Sequence, residues 1–536
     1  MTDVLIVGSG PTGLTLACAL ARHGADVRIV DKSPDFPRSS RAKGPNPRSL
    51  EVLEDLGVVG EVLAAGCAPL PMRKYRDGVA VADTDPYETL RPTPAAPYDR
   101  GRLLPQWRLE EILRTRLAGY GVHVELGTEI VSYEQHDDRV LARTAGGALV
   151  EARYLVGCDG GRSTVRKLMG VTFEGVTHET QLMVNGDVQL ERTSQEVPDD
   201  VPPRSTGARA VQSAEPLARD RWHQWFDEDG AVLLCPIPGT DDRWWFQAGP
   251  EFDADGDPVP PSRESFQRLF DRHARVPGLR LTDAALLTTY RVNVRMADRF
   301  RDGRVLLAGD AAHVHPIAGG LGMNTGIQDA FNLGWKLGAV LSGQAGEGLL
   351  GTYEEERLPV AVWTLDASSA RLDAVMEAIK LPGGGLDAGM TEETNALGPG
   401  YRWSSLAVRG TGTSSTLHAG DRAPDAPCVD TATGAPLRLF EAFAGPHFTL
   451  LGFGEEGAAS LKEVADQAAG TVRAFAVDAG PHGGLRDEGG HARTAYGVEG
   501  DALVLVRPDN HVSMITGADG RNAVLDHLRT LGRGRE

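Results

Sequence analysis

One short segment near the start of the chain constrains its fold more than any other. Residues 3–7 form an apolar run that is typical of a buried strand, and the pattern Gly8-x-Gly10-x-x-Gly13 follows it directly. A helical pattern and a second apolar run come next, and the latter ends at Asp31. A strand, a glycine-rich turn and a helix in this order form the βαβ unit of a parallel sheet that binds a dinucleotide. These residues alone leave the identity of that dinucleotide open.

Each position of this turn has a physical role in binding phosphate. The first glycine allows a tight turn, the second lets the backbone approach a pyrophosphate, and the third packs the helix against the strand. The helix N-terminus adds free N–H groups and a positive dipole. A carboxylate at the end of the second strand accepts hydrogen bonds from a ribose hydroxyl. The candidate cofactor-binding residues of this unit are Gly8, Gly10, Pro11, Thr12, Gly13, Asp31 and Lys32.

Two later segments also place glycine and an acidic residue directly after a predicted strand. The first spans residues 157–166 and contains Asp159, and the second spans residues 303–313 and contains Asp310. With the first glycine-rich turn, these segments resemble three motifs of the group A FAD-dependent aromatic monooxygenases, the para-hydroxybenzoate hydroxylase type. The resemblance covers residues 1–370, and the three motifs occur in the family's order and spacing.

The resemblance implies one FAD held by all three segments, with NADPH or NADH as a transient co-substrate that has no Rossmann domain of its own. It implies that Asp310 binds the ribityl hydroxyls of FAD and that Asp159 lies near the pyrophosphates. Arg41 would reach both FAD phosphate and the open edge of the flavin, so it is a candidate catalytic and cofactor-binding residue. Pro316, in the loop beside the flavin, is the second catalytic candidate.

The same resemblance assigns a glycine-rich loop and helix start to the flavin ring. Helix-terminal N–H groups there would stabilise the negative charge of the reduced flavin. The family usually has Gly-Gln-Gly at this point and this chain has Gly-Leu-Gly, so a role for the glutamine side chain would be absent. The further implied cofactor contacts are Gln106, Gly320, Leu321, Gly322, Met323 and Asn324.

The segments between the motifs predict a second, smaller domain. Residues 181–290 contain alternating apolar and polar runs that are broken by proline and Asp-Gly turns, which is typical of antiparallel strands. In the family, this sheet carries the substrate. Trp222 and Trp225 are therefore candidate substrate-binding residues, with packing in the core as the alternative.

Residues 415–536 alternate strands and helices again and resemble the thioredoxin-like C-terminal domain of phenol hydroxylases and aromatic polyketide hydroxylases. The resemblance rests on residues 420–424 and 504–509. The sequence has no C-x-x-C pair, so thiol chemistry is excluded and a packing or dimerisation role is expected. A homodimer is therefore one expectation.

The predicted fold is α/β: a Rossmann-like FAD-binding domain with an inserted antiparallel-sheet substrate domain, plus a thioredoxin-like α/β domain at the C-terminus that lacks C-x-x-C. The predicted limits are residues 1–70, 101–180 and 285–380 for the FAD-binding domain, 71–100 and 181–284 for the substrate domain, 381–414 for a linker, and 415–536 for the C-terminal domain.

Charge and cysteine content exclude several other classes of function. The formal net charge of -19 argues against nucleic-acid binding, which needs a basic face, and against docking on an anionic membrane. The five cysteines are scattered, and His313 and His315 have no third ligand nearby, so neither a disulfide framework nor a metal site is expected. The sequence shows no secretory or membrane-spanning pattern, and a cytoplasmic location is expected.

Together, the residues and the resemblance predict an FAD- and NAD(P)H-dependent monooxygenase that hydroxylates a polycyclic, phenolic, polyketide-like compound with O2. The family's route is a flavin C4a-hydroperoxide. Residues 181–290 are rich in aromatic and apolar side chains and show no cluster of arginines for a carboxylate, which favours a large flat phenol over a small benzoate. Baeyer–Villiger oxygenation of a polycyclic ketone and a non-catalytic flavoprotein scaffold stay open as alternatives. A flavin halogenase is disfavoured, because the segment Trp-x-Trp-x-Ile is absent.

Overall fold

Three eight-stranded sheets organise the part of the chain that the computed structural model describes. Within that part, no helix is long and apolar enough to cross a membrane. Nor do the described residues contain a group of three or more His, Cys, Asp or Glu side chains that could hold a metal ion. The described residues are 1–38, 42–192, 217–316, 319–381, 383–410, 416–468, 470–480 and 483–533.

The strands and helices of these ranges are numbered in chain order. The strands are β1 (Thr2–Val7), β2 (Val27–Val30), β3 (Met72–Arg76), β4 (Val79–Thr84), β5 (Val124–Glu125), β6 (Ile130–Gln135), β7 (Val140–Thr144), β8 (Leu149–Gly157), β9 (Phe173–Arg192), β10 (Trp222–Phe226), β11 (Ala231–Pro236), β12 (Arg243–Ala248), β13 (Leu279–Ala297), β14 (Arg301–Asp302), β15 (Val305–Leu307), β16 (His313–Val314), β17 (Val408–Arg409), β18 (Pro427–Asp430), β19 (Pro436–Arg438), β20 (Phe448–Phe453), β21 (Val472–Val477), β22 (Leu485–Asp487), β23 (Ala502–Val506) and β24 (Val512–Gly517). The helices are α1 (Pro11–Arg22), α2 (Pro47–Asp55), α3 (Val59–Ala65), α4 (Gln106–Ala118), α5 (Thr164–Met169), α6 (Arg263–His273), α7 (Leu321–Leu341), α8 (Gly351–Ala378), α9 (Leu439–Phe443), α10 (Gly454–Gln467), α11 (His491–Tyr496) and α12 (Arg521–Arg533).

The first sheet contains the predicted βαβ unit. Its strand order is β14-β15-β8-β1-β2-β5, and the β6–β7 hairpin is attached to β8. β1 pairs in parallel with β2 and β8, and β8 pairs in parallel with β15. A parallel strand is buried on both faces, which explains why Val4, Leu5 and Ile6 form a continuous and fully buried apolar run. The carboxyl ends of β1, β8 and β15 meet at one edge, and each of these strands leads into one of the three predicted motifs.

The second sheet has the order β16-β13-β9-β12-β11-β10-β3-β4. Its strands pair antiparallel except for β10 and β3, which run parallel. One face packs on α6 through a core that includes Phe246 and Phe266, whose rings stack at 4.5 Å. We call the opposite face the inner face. Its side chains include Asn185, Asp187, Trp222, Cys235, Trp245 and Gln247.

The third sheet is formed by the C-terminal part of the chain and packs against the long helix α7. Its order is β17-β24-β23-β20-β21-β22-β18-β19. Trp335 of α7 meets Phe448 of β20 edge to face, with ring centres 5.7 Å apart. Leu450, Leu503 and Leu505 belong to the same continuous apolar core as the first sheet. The C-terminal sheet is therefore part of the main core rather than an appendage.

This mixed architecture confirms the predicted fold class. Residues 381–414, which the sequence predicts as a linker, include two short helical turns at Leu386–Gly389 and Glu392–Asn395. They also include β17, which pairs in parallel with β24. The described part of this segment thus packs on both neighbours, while the domain limits given above stay a prediction.

A buried network of charges joins α7 and α8 to the hairpin between β23 and β24. Glu356 Oε2 accepts from Lys336 Nζ at 2.6 Å, and its Oε1 accepts from Arg507 Nη1 at 2.6 Å. Arg507 Nη2 also donates to Asp509 Oδ2 at 2.6 Å. Burial opposes ionisation of Glu356, but Arg507 and Lys336 outweigh it and lower its pKa to about 2. The hairpin is therefore held to both helices by ion pairs that water does not screen.

We expect Arg507→Met to destabilise the protein strongly, because it leaves Glu356 and Asp509 buried without the cation they share. Removing one partner of a buried ion pair costs about 3–5 kcal/mol. The midpoint of urea unfolding should fall clearly. Arg529→Met is the control, since it removes exposed contacts alone, an ion pair with Asp526 at 3.0 Å and a hydrogen bond to Gln467 at 2.8 Å. Equal urea midpoints for the two variants would show that the buried network stabilises the fold no more than an exposed ion pair does.

Candidate functional site

The first glycine-rich turn has the geometry that its sequence predicts. Gly8 has a φ of +106°, and a Cβ there would lie 2.4 Å from the Cys158 carbonyl oxygen. A Cβ on Gly13 would lie 2.0 Å from the Gly8 carbonyl oxygen, so glycine alone fits both positions. A Cβ on Gly10 would instead meet open space, just before α1 begins at Pro11. The turn therefore leaves room for a phosphate at the helix N-terminus.

Asp31 follows β2 directly and fixes the conformation of the turn. Its Oδ2 accepts from the Ser9 backbone N–H at 2.8 Å and from the Ser9 hydroxyl at 2.9 Å, and its Oδ1 accepts from the Ser33 N–H at 2.9 Å. Burial opposes ionisation, but the hydrogen bonds from Ser33 and Ser9 outweigh it and lower the pKa of Asp31. A carboxylate offers about four acceptor positions, so it retains capacity for a ribose hydroxyl. Lys32 beside it is exposed.

Gln106 begins α4 and connects two parts of the site. Its Oε1 accepts from the Ala42 backbone N–H at 3.2 Å, and its Nε2 donates to Glu110 Oε1 at 2.9 Å. Glu110 is buried, and burial, together with the nearby charge of Asp31, raises its pKa to about 7. Glu110 lies outside the residues that the sequence predicts for the site. The sequence feature that could have pointed to Glu110 is its position, a carboxylate one helical turn after Gln106.

The second motif places Asp159 at the start of α5. Its Oδ2 accepts from the Thr164 backbone N–H at 2.7 Å, and its Oδ1 accepts from a serine hydroxyl of the same turn. Arg166 donates to the Ala311 carbonyl oxygen at 2.8 Å. Asp159 thus caps a helix whose arginine fixes the turn around Asp310. A direct contact between Asp159 and FAD stays a prediction.

The third motif packs directly on the first. Gly309 has a φ of +62°, and a Cβ there would lie 2.6 Å from Thr12 Oγ1. A Cβ on Gly326 of α7 would lie 2.4 Å from the same oxygen. Asp310, the middle residue of the turn after β15, is exposed. These close approaches bring Thr12 and Asp310 to the same edge of the first sheet.

Helix α7 begins at Leu321 with its N-terminus open. Gly320 has a φ of +64°, and a Cβ there would meet nothing within 4 Å. Asn324 Oδ1 accepts from the Asn46 N–H at 2.8 Å, and its Nδ2 donates to the Gly320 carbonyl oxygen at 2.8 Å. Leu321 is buried, so the backbone of this turn, rather than its side chain, can face a ligand. The first-turn N–H groups are the donors that could hold a flavin ring.

A buried aspartate in α7 fixes the third motif from within the core. Asp329 Oδ2 accepts from the Gly309 N–H at 3.0 Å and lies 2.7 Å from His313 Nε2, while its Oδ1 accepts from Arg357 Nε at 2.6 Å. Burial opposes the charge of Asp329, but Arg357 and His313 outweigh it and lower its pKa to about 2. The sequence does not predict this residue, because its partners are 16 to 28 positions away and follow no local spacing.

Lys43 connects the start of α7 to the inner face of the second sheet. Its Nζ lies 5.4 Å from the centre of the Trp222 ring and 5.8 Å from that of Trp245, and it donates to Gln247 Oε1 at 3.1 Å. The same loop reaches Asn46, which binds the first turn of α7. An aromatic wall and an open helix N-terminus therefore lie on either side of one short loop.

Only one of the two tryptophans predicted to bind substrate lies on the inner face. Trp222 does, but Trp225 points to the opposite face, where it meets Phe270 of α6 with ring centres 6.0 Å apart. Side chains alternate along a strand, so residues three apart point to opposite faces. The expectation for Trp225 is therefore corrected: it is a core residue. Trp245 lies beside Trp222 on the inner face.

The remaining predicted residues lie around the loop before α7. The Pro316 carbonyl oxygen accepts from His315 Nδ1 at 3.2 Å, and a catalytic role for Pro316 stays a prediction. Gly322 packs on the His315 ring, and Met323 is half-buried. Arg41 lies outside the described residues.

The edge of the first sheet fits a bound dinucleotide, because it combines two open helix N-termini with the carboxylates of Asp31 and Asp310. A family model described as "FAD binding domain" matches residues 1–368. A second, described as "Aromatic-ring hydroxylase, C-terminal", matches residues 416–532. The chain belongs to the FAD-dependent aromatic-ring hydroxylases. That this edge holds the FAD stays a prediction.

Relatives of the hydroxylase match it over nearly its whole length. A flavin-dependent monooxygenase of Mycobacteroides abscessus is 39% identical over 534 residues, 98% of this chain and 99% of the relative. The 12-dehydrotetracycline 5-monooxygenase/anhydrotetracycline 6-monooxygenase of Streptomyces rimosus is 33% identical over 98% of each chain. The crystal structure of aklavinone-11 hydroxylase with FAD and aklavinone superimposes with a TM-score of 0.79, at 28% identity over 99% of each chain. The chain is therefore a flavin-dependent monooxygenase.

We expect Glu110→Gln to stabilise the hydroxylase at high pH. Burial raises the pKa of Glu110 from 4.5 to about 7, so the folded state loses relative stability as pH rises through this interval. Glutamine keeps an acceptor for Gln106 and never ionises. Thermal unfolding at pH 5 and pH 8 should show a higher Tm for the variant at pH 8 only. Glu111→Gln, at the exposed neighbouring position, is the control, and a pH-independent gain in Glu110→Gln would contradict this origin.

Asp310→Ala should weaken FAD binding, because it removes a charged acceptor at the edge where the three motifs meet. A charge-assisted hydrogen bond contributes about 1.5–3 kcal/mol, which corresponds to roughly ten- to hundredfold in affinity. Fluorescence titration of the apoprotein with FAD measures the change. Asp298→Ala, which removes an exposed carboxylate before the motif, should bind FAD normally. Unchanged FAD affinity in Asp310→Ala would remove this residue from the site.

Proposed function

We propose that this hydroxylase uses NAD(P)H and O2 to hydroxylate a polycyclic phenol of the polyketide type. The observation that carries the proposal is the inner face of the second sheet, where Trp222 and Trp245 form an aromatic wall. Residues 43–46 connect this wall to the open start of α7. A flat aromatic ring packed on the wall would thus lie close to the flavin-binding edge.

The lining of the inner face favours a large apolar substrate. Met72, Leu103 and Ile237 form one apolar cluster with Trp222 and Trp245. Aromatic side chains of this size bury much apolar area and stack favourably on aromatic ligands. The relatives named for anhydrotetracycline and aklavinone act on or bind substrates of this kind, which supports the proposal.

The chain's own residues would bind the cofactor, orient the substrate and exclude water. When bound, FAD supplies the redox and oxygen chemistry, taking electrons from NAD(P)H and delivering one oxygen atom of O2 to the ring. Asn324 holds the start of α7, whose N–H groups would face the bound cofactor. Trp222 and Trp245 fix the plane of the substrate and keep water from the reacting edge.

The C-terminal sheet would serve packing rather than redox chemistry. Trp335 meets Phe448 across the junction, and the Arg507–Glu356 pair at 2.6 Å closes it. A truncation before residue 416 would expose this apolar surface and leave Glu356 without Arg507. We propose that the domain holds α7 and α8 in place beneath the flavin site.

The test compares NADPH and NADH oxidation by the FAD-loaded protein with hydroxylated anthraquinones and with para-hydroxybenzoate at equal concentrations. The polycyclic phenols should stimulate oxidation more, and their products should gain one oxygen with the rings intact. Trp222→Leu should lower the yield of product per NAD(P)H and raise hydrogen peroxide, without loss of FAD. Trp403→Leu is the control, because Trp403 is half exposed and contacts Glu355 of α8 and Tyr401.

Three other results would each overturn part of this proposal. A stronger response to para-hydroxybenzoate would reject the substrate class. A ring-opened or ring-expanded product would indicate Baeyer–Villiger insertion. Bound FAD with no stimulation by any aromatic compound would favour the non-catalytic scaffold.

A further inference from the structure

We infer that Lys43 determines specificity by binding an anionic oxygen of the substrate, a phenolate or enolate oxygen, against the wall of Trp222 and Trp245. This inference rests on the proposed function, since it names the chemical group that the same site recognises. It assigns a role to a cation that lies two residues after Arg41 and is not itself predicted to bind the cofactor.

The Lys43 ammonium has an aromatic and amide environment. Its Nζ lies 5.4 Å and 5.8 Å from the ring centres of Trp222 and Trp245. It donates to Gln247 Oε1 at 3.1 Å, and Gln247 Nε2 in turn donates to Asn185 Oδ1 at 2.8 Å. The amide is thereby oriented with its oxygen toward the lysine. One neutral acceptor and two ring faces leave an ammonium with donor capacity to spare.

Lys43 lacks the ion pair that another lysine on the same face has. Lys74 lies 2.8 Å from a carboxylate oxygen of Asp387. For Lys43, no carboxylate oxygen of a described residue lies within ion-pair distance of Nζ. The titratable groups that act on it from the sheet are Cys235 and Asp187, which interact only at longer range.

This arrangement is costly for a cation without an anionic ligand. Lys43 is half-buried, and burial lowers its pKa, against the weaker effects of Cys235 and Asp187. A buried charge is normally paired, because protein replaces the water that would solvate it. An anionic oxygen of a ligand packed on the wall of Trp222 and Trp245 would complete the pairing.

The backbone holds Lys43 in register with the flavin site. A Cβ on Gly44 would lie 1.8 Å from the Arg102 carbonyl oxygen, so the loop is closely fitted to its neighbour. Two residues later, the Asn46 N–H donates to Asn324 of α7. The loop that carries Lys43 is therefore fixed between the aromatic wall and the start of α7.

Pairing with Lys43 has a chemical consequence for a bound phenol. A cation at hydrogen-bond distance favours the ionised form, so the phenol releases its proton to solvent more readily and the phenolate stays paired with the ammonium. A phenolate ring is more electron-rich than a phenol ring. The same contact would thus determine which edge of the ring faces the flavin, and it would make that ring more reactive toward oxygen transfer.

The test is a pH titration of 2-hydroxyanthraquinone bound to the oxidised, FAD-loaded protein without NAD(P)H. The phenolate of this probe absorbs at longer wavelength than its phenol, so a difference spectrum reports its ionisation. The apparent pKa of the bound probe should be at least one unit lower in wild type than in Lys43→Met. Lys462→Met, a substitution at an exposed lysine, is the control and should give the wild-type value. Lys43→Arg should retain most of this tenfold shift in acid dissociation. FAD content should be equal in all variants.

An equal probe pKa in wild type and Lys43→Met would overturn the inference. So would loss of FAD in both Lys43→Met and Lys43→Gln, because this would show a structural role. If the shift is present but the probe does not stimulate NAD(P)H oxidation by wild type, the proposed function fails while the binding role of Lys43 stands. If the probe does not bind to wild type at all, both fail.

Discussion

The ion pair between Asp329 and Arg357 ties the turn around Asp310 to the rest of the molecule. Asp329 receives the Gly309 N–H and faces His313, so one carboxylate sets the path of the chain on both sides of Asp310. Arg357, held at 2.6 Å, also donates to the Tyr401 hydroxyl at 3.0 Å. The next residue toward the N-terminus of α8, Glu356, pairs with Arg507 of the C-terminal hairpin. Because every partner is buried, a shift at one end is costly at the other.

Small residues on α7 allow this arrangement. A Cβ on Gly334 would lie 2.6 Å from Ala19 Cβ, and a Cβ on Gly338 would lie 2.5 Å from the His23 ring. With Gly326 against Thr12, these contacts place α7 and α1 in close contact along their length. The N-termini of the two helices are thereby held at one edge of the first sheet.

Much of the site could be predicted because its motifs are local. The turn from Gly8 to Gly13, and Asp310 after its strand, depend on a few neighbouring residues and on steric rules that hold in any context. Asp329 and Lys43 could not be found in this way, because their partners come from distant segments that only the fold brings together. Trp225 is a different case. Its three-residue separation from Trp222 already implies opposite faces, so strand alternation could have excluded it.

The central claim is that the three motifs hold one FAD beside an aromatic wall, and that the enzyme oxygenates a polycyclic phenol at that wall. The most direct measurement is mass spectrometry of the product formed by the FAD-loaded protein with NAD(P)H and isotopically labelled O2. The expected product keeps its rings and carries one labelled oxygen atom per molecule. An unlabelled product, or no product from a protein that holds FAD and binds the phenol, would contradict the claim.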